Sequence, residues 1–344
     1  GGALDVASST LSWAGDSVFS DNTAHDRGGA MDVWESTVSL AGEAVFSDNI
    51  ANDRGGAVGI SSSTVSWEGK CVFLDNTSTD RGGAVFASSS TVSWRAPASF
   101  FNNSAGSNGG ALYVTSGARA LLELGTELLH NNAFGDGGAI YIYGSDEVHP
   151  SSVCINSTAQ FLNNLCGGDG GALVVMASGS VMFATERVTF SHNSAHASGG
   201  AVAVKGLAVG PRFTGLTFQS NRAQIGGAAY VTSSGTATSE DGFGDPMQNP
   251  TTFDRCKFVG NKAIATGGAI NTGAGLDVIA NSYFAGNAAR AGGALRLAGI
   301  TSLHNCSFTE NTSDNNEGPA ISNVGSVSSM TACSFQNNAF TCKP

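Results

Sequence analysis

An Asp-Arg pair recurs at a constant interval near the start of the chain. The pairs are Asp26-Arg27, Asp53-Arg54 and Asp80-Arg81, each 27 residues after the one before. If equivalent positions lie over one another, they form two columns of like charge side by side. Stacked carboxylates could share a Ca²⁺ ion, which takes several oxygen ligands. We favour ion pairing of each Asp with its Arg neighbours on a solvated corner, because exposed pairs of this kind are common, and we predict no metal.

Two sets of aromatic residues also recur in phase. Trp13, Trp67 and Trp94 share one position with Leu40 and alternate with Ser. These Trp residues could form a carbohydrate-binding platform on the surface or an aromatic stack in the interior. We favour the interior stack, because Leu40 fills the same position. The second set follows a glycine pair, and strand alternation turns it away from the core. We predict that it forms an exposed contact stripe for a glycan or a neighbouring subunit, because exposed apolar patches often mark binding surfaces. The stripe consists of Phe86, Tyr113, Tyr141 and Tyr230.

The seven cysteines include no C-x-x-C pair, so zinc spacing is absent. Cys154 and Cys166 bracket one long repeat and are the candidate disulfide. Cys306 and Cys333 stand 27 residues apart, and two states are open for them, stacked free thiols or a bond. Five N-x-S/T sequons are candidate N-glycosylation sites. They begin at Asn76, Asn102, Asn156, Asn305 and Asn311.

Catalysis requires titratable groups gathered on one face, such as paired carboxylates for acid and base roles. The six histidines are scattered in phase, and no acidic pair recurs beside a Lys or Arg outside the Asp-Arg corner. Glu240, Asp241 and Asp245 lie in a segment that interrupts the repeat. They could serve a metal or a sugar, but acids in loops are usually solvated. We predict no catalytic residue and no cofactor.

All of these residues belong to a repeat that runs through the chain. Its first signature is Gly-Gly-Ala, which returns at intervals of 25 to 41 residues and most often of 27. The second is F-x-x-N, whose Asn usually precedes the glycine pair by five to seven residues. After each Ala, aliphatic residues alternate with residues of varied type that are often polar. In a second run, such as Ser-Thr-Val-Ser-Trp, apolar residues alternate with Ser and Thr. Alternation with a period of two predicts half-buried strands.

Three short strands in about 27 residues cannot bury an apolar face alone, so each unit must stack on its neighbours. The sequence predicts an all-β parallel β-helix of about 12–13 coils, roughly 60 Å long at the spacing of hydrogen-bonded strands. The glycine pair supplies φ > 0 or close backbone approach at a corner. The Asn tolerates the left-handed region and stacks as an amide ladder, and the Phe fills a thin core.

We expect residues 1–344 to form one continuous domain. Because the sequence opens at Gly1-Gly2-Ala3, inside a repeat, we expect it to be a segment of a longer chain. Insertions near 144–152 and 233–250 both follow the Gly-Gly-Ala strand, which places them on the same edge of the solenoid.

Composition limits the partners of the chain. Charged residues make up 12% of it, against roughly 25% in ordinary domains. The formal net charge of −11 gives a nucleic-acid partner no support, because phosphate binding needs clustered Lys and Arg. No apolar run approaches the roughly 18–20 residues of a membrane span. We predict no nucleic-acid partner and no membrane span in this segment.

The paired GGA[ILV] and FxxN motifs resemble the repeats of the polymorphic outer-membrane protein family. One example runs from Phe73 and Asn76 to Gly82-Gly83-Ala84, and the resemblance covers essentially the whole chain. It implies a right-handed parallel β-helix, exposure at the cell surface, and adhesive or structural roles.

From these observations we predict a non-catalytic, extracellular or cell-surface rod, a structural or adhesive segment of a surface protein or filament. The expected partners are further copies of the chain, in end-to-end or lateral assembly, or surface glycans. Parallel β-helices also host polysaccharide lyases and hydrolases, and fold alone does not decide function. A polysaccharide-binding or polysaccharide-degrading β-helix is therefore the alternative.

Overall fold

Each repeat forms one coil, and each coil contributes one strand to each of four parallel sheets of twelve strands. Neighbouring strands in a sheet belong to consecutive coils, so the predicted parallel β-helix is confirmed. Every regular element in the described part of the chain is a β-strand, and no helix there is long and apolar enough to cross a membrane. The computed structural model describes residues 1–145, 150–206, 210–232, 251–273, 276–315, 317–325 and 329–340.

The first two sheets are built from the two alternating runs of each repeat. The first sheet follows Gly-Gly-Ala, and its strands are Leu4–Ala7, Met31–Trp34, Val58–Ser61, Val85–Ser88, Leu112–Thr115, Ile140–Gly144, Leu173–Ala177, Val202–Lys205, Ala229–Thr232, Ile270–Thr272, Leu295–Leu297 and Ile321–Asn323. The strands of the second sheet are Thr10–Trp13, Thr37–Leu40, Thr64–Trp67, Thr91–Trp94, Arg119–Leu122, Ser152–Ile155, Ser180–Phe183, Arg212–Thr214, Thr252–Asp254, Leu276–Ala280, Ile300–His304 and Ser329–Thr331.

The other two sheets lie on either side of the Asn of F-x-x-N, which recurs at the same position of each repeat. The third sheet carries the Phe, and its strands are Ser17–Ser20, Ala44–Ser47, Cys71–Leu74, Ala98–Phe101, Thr126–Leu129, Ala159–Leu162, Val188–Ser191, Thr217–Gln219, Lys257–Val259, Tyr283–Ala285, Ser307–Thr309 and Ser334–Gln336. The strands of the fourth sheet are Thr23–Ala24, Ile50–Ala51, Thr77–Ser78, Ser104–Ala105, Asn132–Ala133, Leu165–Cys166, Ser194–Ala195, Arg222–Ile225, Lys262–Thr266, Ala288–Ala289, Thr312–Ser313 and Ala339–Phe340.

The fourth sheet corrects the prediction of three strands per coil. Most of its strands have only two residues, too few for alternation to appear in the sequence. They form because the chain after each Asn remains in register with the coil before it. The backbone N–H of Thr77, for example, donates to the carbonyl of Asn49 at 2.9 Å.

The core consists of columns of equivalent side chains from the first three sheets. Val58 pairs with Val85, and Val85 pairs with Leu112, so the aliphatic positions stack directly. The Phe rings of the third sheet also stack, with centroids 4.3–5.1 Å apart on adjacent coils. Trp67 and Trp94 are fully buried and stack at 5.0 Å. The interior stack is confirmed for these two, whereas Trp13 on the first coil is 40% exposed.

The Asn of each F-x-x-N forms the predicted ladder. Each amide Nδ2 donates to the Oδ1 of the next coil at 2.9–3.1 Å, and this is repeated from Asn22 to Asn338. From Asn49 onward, Nδ2 also donates to the carbonyl of the residue in the Phe position one coil back. We predicted that the ladder Asn would take the left-handed conformation, and this is wrong. The residue before it does so instead, such as Asp75 with φ of 55°.

The glycine pair meets both of the expected requirements, one at each glycine. Gly82 has φ of 66°, in the left-handed region. A Cβ on Gly83 would collide with the carbonyl oxygen of Gly110 on the next coil. The insertion at 233–250, with Glu240, Asp241 and Asp245, lies outside the described residues, as do residues 146–149 of the other insertion.

Candidate binding surfaces

The predicted contact stripe lies on the outer face of the first sheet, but the prediction that it is exposed is wrong. Phe86, Tyr113 and Tyr141 are register neighbours on three coils, with ring centroids 5.5 and 5.1 Å apart. They are only 2–5% exposed. Tyr230 is half-buried and separate, because Val174 and Ala203 occupy the same column between it and Tyr141.

The stripe is buried because long side chains from the Asp-Arg corners and from neighbouring coils cover it. The guanidinium of Arg54 lies 5.2 Å from the Phe86 ring centroid, and that of Arg81 lies 5.4 Å from the Tyr113 ring centroid. Such cation–π contacts favour a cation over an aromatic face. At the other end, the Tyr141 hydroxyl donates to Met176 Sδ at 2.9 Å. Alternation gave the correct face of the strand, but the covering side chains come from other positions of the repeat.

The second and third Asp-Arg corners form the ion pairs that we favoured, whereas at the first corner Arg27 pairs with Asp32, at 3.6 Å, and not with Asp26. Arg54 Nε lies 3.4 Å from Asp53 Oδ2 and 3.8 Å from Asp80 Oδ2, and Arg81 Nε lies 3.3 Å from Asp80 Oδ2. Arg54 and Arg81 therefore each contact a carboxylate while their guanidinium groups cover a ring. In the described ranges, no group of three or more His, Cys, Asp or Glu side chains is arranged to hold a metal ion.

Burial changes the ionisation of the two tyrosines in the stripe. It raises the pKa of Tyr113, against a smaller lowering by the charge of Arg81. Burial also raises the pKa of Tyr141, and the neighbouring Tyr113 adds to the effect. Both phenols therefore remain neutral at physiological pH, and the stripe acts as a packed cluster on the outside of the first sheet.

A charged cluster that the sequence analysis missed lies next to this stripe. Asp136 and Asp169 are on adjacent coils, and Lys205 Nζ lies 2.6 Å from Asp169 Oδ2 and 3.8 Å from Asp136 Oδ2. Asp136 Oδ1 accepts from the backbone N–H of Asp169 at 2.8 Å, and Asp169 Oδ1 accepts from that of Ser198 at 2.7 Å. Each carboxylate thus forms a hydrogen bond with the backbone of the next coil. The signal in the sequence was their shared position, directly before Gly137 and Gly170.

The pKa of Lys205 reflects this cluster. Burial lowers it, but the hydrogen bond to Asp169 and the charges of Asp169 and Asp136 outweigh burial, so the pKa is raised overall. Lys205 is therefore a cation shared by two stacked carboxylates.

The predicted disulfide between Cys154 and Cys166 is wrong. Both are free cysteines, because their positions along the coil place them on different sheets. Cys154 is half-buried on the second sheet, whereas Cys166 is buried in the fourth, where burial raises the pKa of its thiol to about 12. Cys306 and Cys333, which are on adjacent coils, are also free. Cys342 lies outside the described residues.

The structure divides the five predicted glycosylation sites. Asn76 and Asn311 are ladder residues and fully buried, so the prediction is wrong for these two in the folded chain. Their side-chain nitrogens already donate to the neighbouring coils. Asn102, Asn156 and Asn305 are exposed and remain predicted sites.

The depressions on the outside of the described coils include two grooves. One, of about 590 Å³, crosses the fourth sheet and is lined by residues that include Phe134, Leu165 and Arg222. The other, of about 540 Å³, lies at the third sheet and includes Lys70, Glu127, Arg187 and other residues. The residues of these grooves were not singled out in the sequence, because they depend on which columns the fold brings side by side.

Comparison with known proteins confirms the resemblance for part of the chain. Residues 70–88, 97–115 and 187–205 match the Chlamydia polymorphic membrane protein (Chlamydia_PMP) repeat. Each segment runs from the third-sheet strand, through the ladder Asn and the glycine pair, to the first-sheet strand of the next coil. No curated protein and no solved structure matches the chain.

Proposed function

Because the chain carries repeats of the Chlamydia polymorphic membrane protein type, we propose that it is a non-catalytic rod at the cell surface. In this role it is a structural or adhesive segment of an extracellular protein. The observation that carries the proposal is the in-register stack of four sheets with twelve strands each. Such a stack grows by nearest-neighbour contacts and presents long, regular faces to the surroundings.

The use of the polar groups supports a non-catalytic role. The ladder amides, the carboxylates of Asp136 and Asp169, and the arginines of the Asp-Arg corners all bond or cover neighbouring coils. Acid and base catalysis needs groups that reach a substrate. In this chain the same groups join one coil to the next.

The proposal is tested on cells that produce the native protein, with antibodies raised against this chain. We expect immunogold label on the outside of intact cells, and loss of that label after brief protease treatment. Label only in permeabilised cells would overturn the surface location. Electron microscopy of the labelled material separates the two forms of assembly, because periodic fibres indicate a filament and isolated stalks indicate an adhesin.

Adhesion is tested with beads coated with the folded chain, and beads coated with heat-unfolded chain provide the control. Greater retention of the folded chain on host or neighbouring cells supports the adhesive role. Equal retention of the folded and the unfolded chain would contradict the adhesive role, and the structural role would then be the one that remains.

A polysaccharide-degrading β-helix is the second candidate, and the acidic pair Asp136 and Asp169 beside Lys205 is the observation that favours it. Incubation of the folded chain with pectin and alginate tests it. New chain ends would overturn the non-catalytic role, whereas intact polymers support it.

A further inference from the structure

The groove on the fourth sheet, which we call the fourth-sheet groove, lies between two columns of outward side chains. One column includes Leu165, Ser194 and Arg222, and the other, two residues later on each coil, includes Phe134 and His196. Both columns follow the axis of the β-helix, because equivalent positions of consecutive coils are register neighbours. The groove is therefore an elongated depression suited to a chain-like ligand.

Large apolar side chains are exposed along this groove. Phe134 is 80% exposed, Leu165 50% and Ile264 53%. Gly167 follows Phe134 in its column and leaves the ring uncovered on that side. Exposed apolar residues gathered in one concave surface are typical of binding sites.

The charge of this face is opposite to that of the whole chain. Arg222 and Lys262 are register neighbours, both are exposed, and neither forms an ion pair with a described residue. Arg290 follows on the next coil in the second column, also exposed. Over the described residues, Asp314 is the one carboxylate in the two columns, whereas the chain has 27 Asp and Glu and a net charge of −11. Arg222 and Lys262 have no described carboxylate beside them in these two columns, and such cations attract an anionic ligand.

We propose that the fourth-sheet groove binds an acidic glycan chain, one that bears uronate carboxylates or sulfates. This inference rests on the proposed surface role and names its ligand. Arg222 and Lys262 would pair with the acidic groups, Phe134 would pack against a sugar face, and Ser194 and Gln224 would hydrogen-bond to hydroxyls. Charged groups at such a surface give specificity, and the apolar contacts add affinity.

An extended peptide fits this surface less well. Peptides that add to a sheet bond to the unpaired backbone of an edge strand. In the middle of the fourth sheet those groups are already paired, as in the 2.9 Å bond from the N–H of Arg222 to the carbonyl of Asn193. A ligand here meets side chains, which is the way in which glycans are recognised.

The test measures the binding of the full chain to heparin fragments and to polygalacturonate by calorimetry, with dextran as the neutral polymer. We expect binding to at least one acidic polymer and none to dextran. In the double variant R222S/K262S, Kd should rise about threefold to tenfold, the range expected for two exposed ion pairs. F134S should also weaken binding, whereas M182S, at a residue 60% exposed on the second sheet, should leave Kd unchanged.

The matched control is K70S/R187S, which removes the same charge from the groove at the third sheet. It should leave Kd within about twofold of wild type. Equal losses in both double variants, binding to neither acidic polymer, or equally tight binding to a DNA oligonucleotide would each overturn the assignment. The immunogold experiment on native cells is independent of this groove, so failure here is distinguishable from failure of the proposed function.

Discussion

Asn103 serves three coils at once. Its Nδ2 donates to the Phe73 carbonyl at 3.1 Å and to Asn131 Oδ1 at 3.0 Å. Its Oδ1 accepts from the backbone N–H of Asn76 at 3.1 Å and from Asn76 Nδ2 at 2.9 Å. All of these groups are buried, so every bond in the ladder replaces a bond to water. The partners of a residue in this fold are mainly its equivalents one coil away.

Substitution of Asn103 by Ala should therefore be costly. It leaves two N–H groups of Asn76 without partners and removes the bonds from Asn103 Nδ2 to the Phe73 carbonyl and to Asn131 Oδ1, and each buried unsatisfied group costs about 1–3 kcal/mol. We expect the free energy of unfolding to fall by about 3 kcal/mol or more, measured by urea unfolding. Asn52→Ala, at an exposed Asn outside the ladder, should change it by less than about 0.5 kcal/mol. Similar effects of the two variants would contradict the role of the ladder.

The tyrosines of the stripe predict a loss of stability in alkali. Burial raises the pKa of Tyr113 and of Tyr141 in the folded chain, whereas unfolded tyrosine ionises near pH 10. Above about pH 10 the unfolded chain thus binds fewer protons than the folded chain, and stability falls as pH rises toward the folded pKa values. Below about pH 10 the contribution is fully present.

The measurement is tyrosinate absorbance during a pH titration. Wild type should show a late component that disappears in Y113F/Y141F. The variant Y283F, at an exposed position, should retain it. Ionisation of all tyrosines in a single early step, with the fold intact, would show that the stripe is open to solvent.

At the scale of elements, the corner before the first sheet needs two glycines for two different reasons. The first has positive φ, and the second lies against the next coil. Gly286 offers a comparison at another corner, because it has φ of 60° but nothing within 4 Å of a Cβ placed on it.

Alanine substitutions should separate these two effects. Gly286→Ala should cost about 1–2 kcal/mol, the cost of a left-handed L-residue. Gly83→Ala, where the obstacle is the backbone of Gly110, should cost about 3 kcal/mol or more because the coils must move apart. Thermal unfolding of both variants provides the comparison, and a smaller loss for Gly83→Ala would refute the close approach.

Most of the fold could be predicted from the sequence because each coil repeats the same local instructions. The Gly-Gly-Ala and F-x-x-N signatures fixed the period, and the alternation in strands such as Leu112–Thr115 indicated which side chains face the core. The strands of the fourth sheet could not be predicted, because two residues such as Thr77–Ser78 show no period. They are held by the register of their neighbours.

The candidate sites were less predictable, for a related physical reason. Alternation assigned Phe86 and Tyr113 to the outer face, but their burial depends on Arg54 and Arg81, which reach over from different coils. The sequon at Asn76 coincides with the ladder motif, so its sequence pattern does not reveal that the amide is used internally. Spacing along the chain likewise did not show that Cys154 and Cys166 belong to different sheets.

At the scale of the whole molecule, each face of the β-helix has its own chemistry. The outer face of the first sheet is closed by arginines and tyrosines, whereas the fourth sheet presents the groove lined by Arg222, with Lys262 as the register neighbour of that arginine. The exposed sequon residues stand at corners between sheets, Asn102 between the third and fourth and Asn156 between the second and third. Bulky groups at these corners would leave both faces uncovered.

Glycosylation should follow this division when the chain is expressed through a eukaryotic secretory pathway. Asn102, Asn156 and Asn305 are exposed and can carry glycans, whereas a glycan on Asn76 or Asn311 would remove ladder bonds and expel a buried side chain. We expect peptide mapping by mass spectrometry of the folded, secreted chain to find occupancy only within the first group. The triple variant N102Q/N156Q/N305Q should then have the mass of the bare polypeptide. A glycan on Asn76 in folded material would mean that the ladder is interrupted at that coil. Such a result would contradict the claim that the amides form one continuous stack along the β-helix.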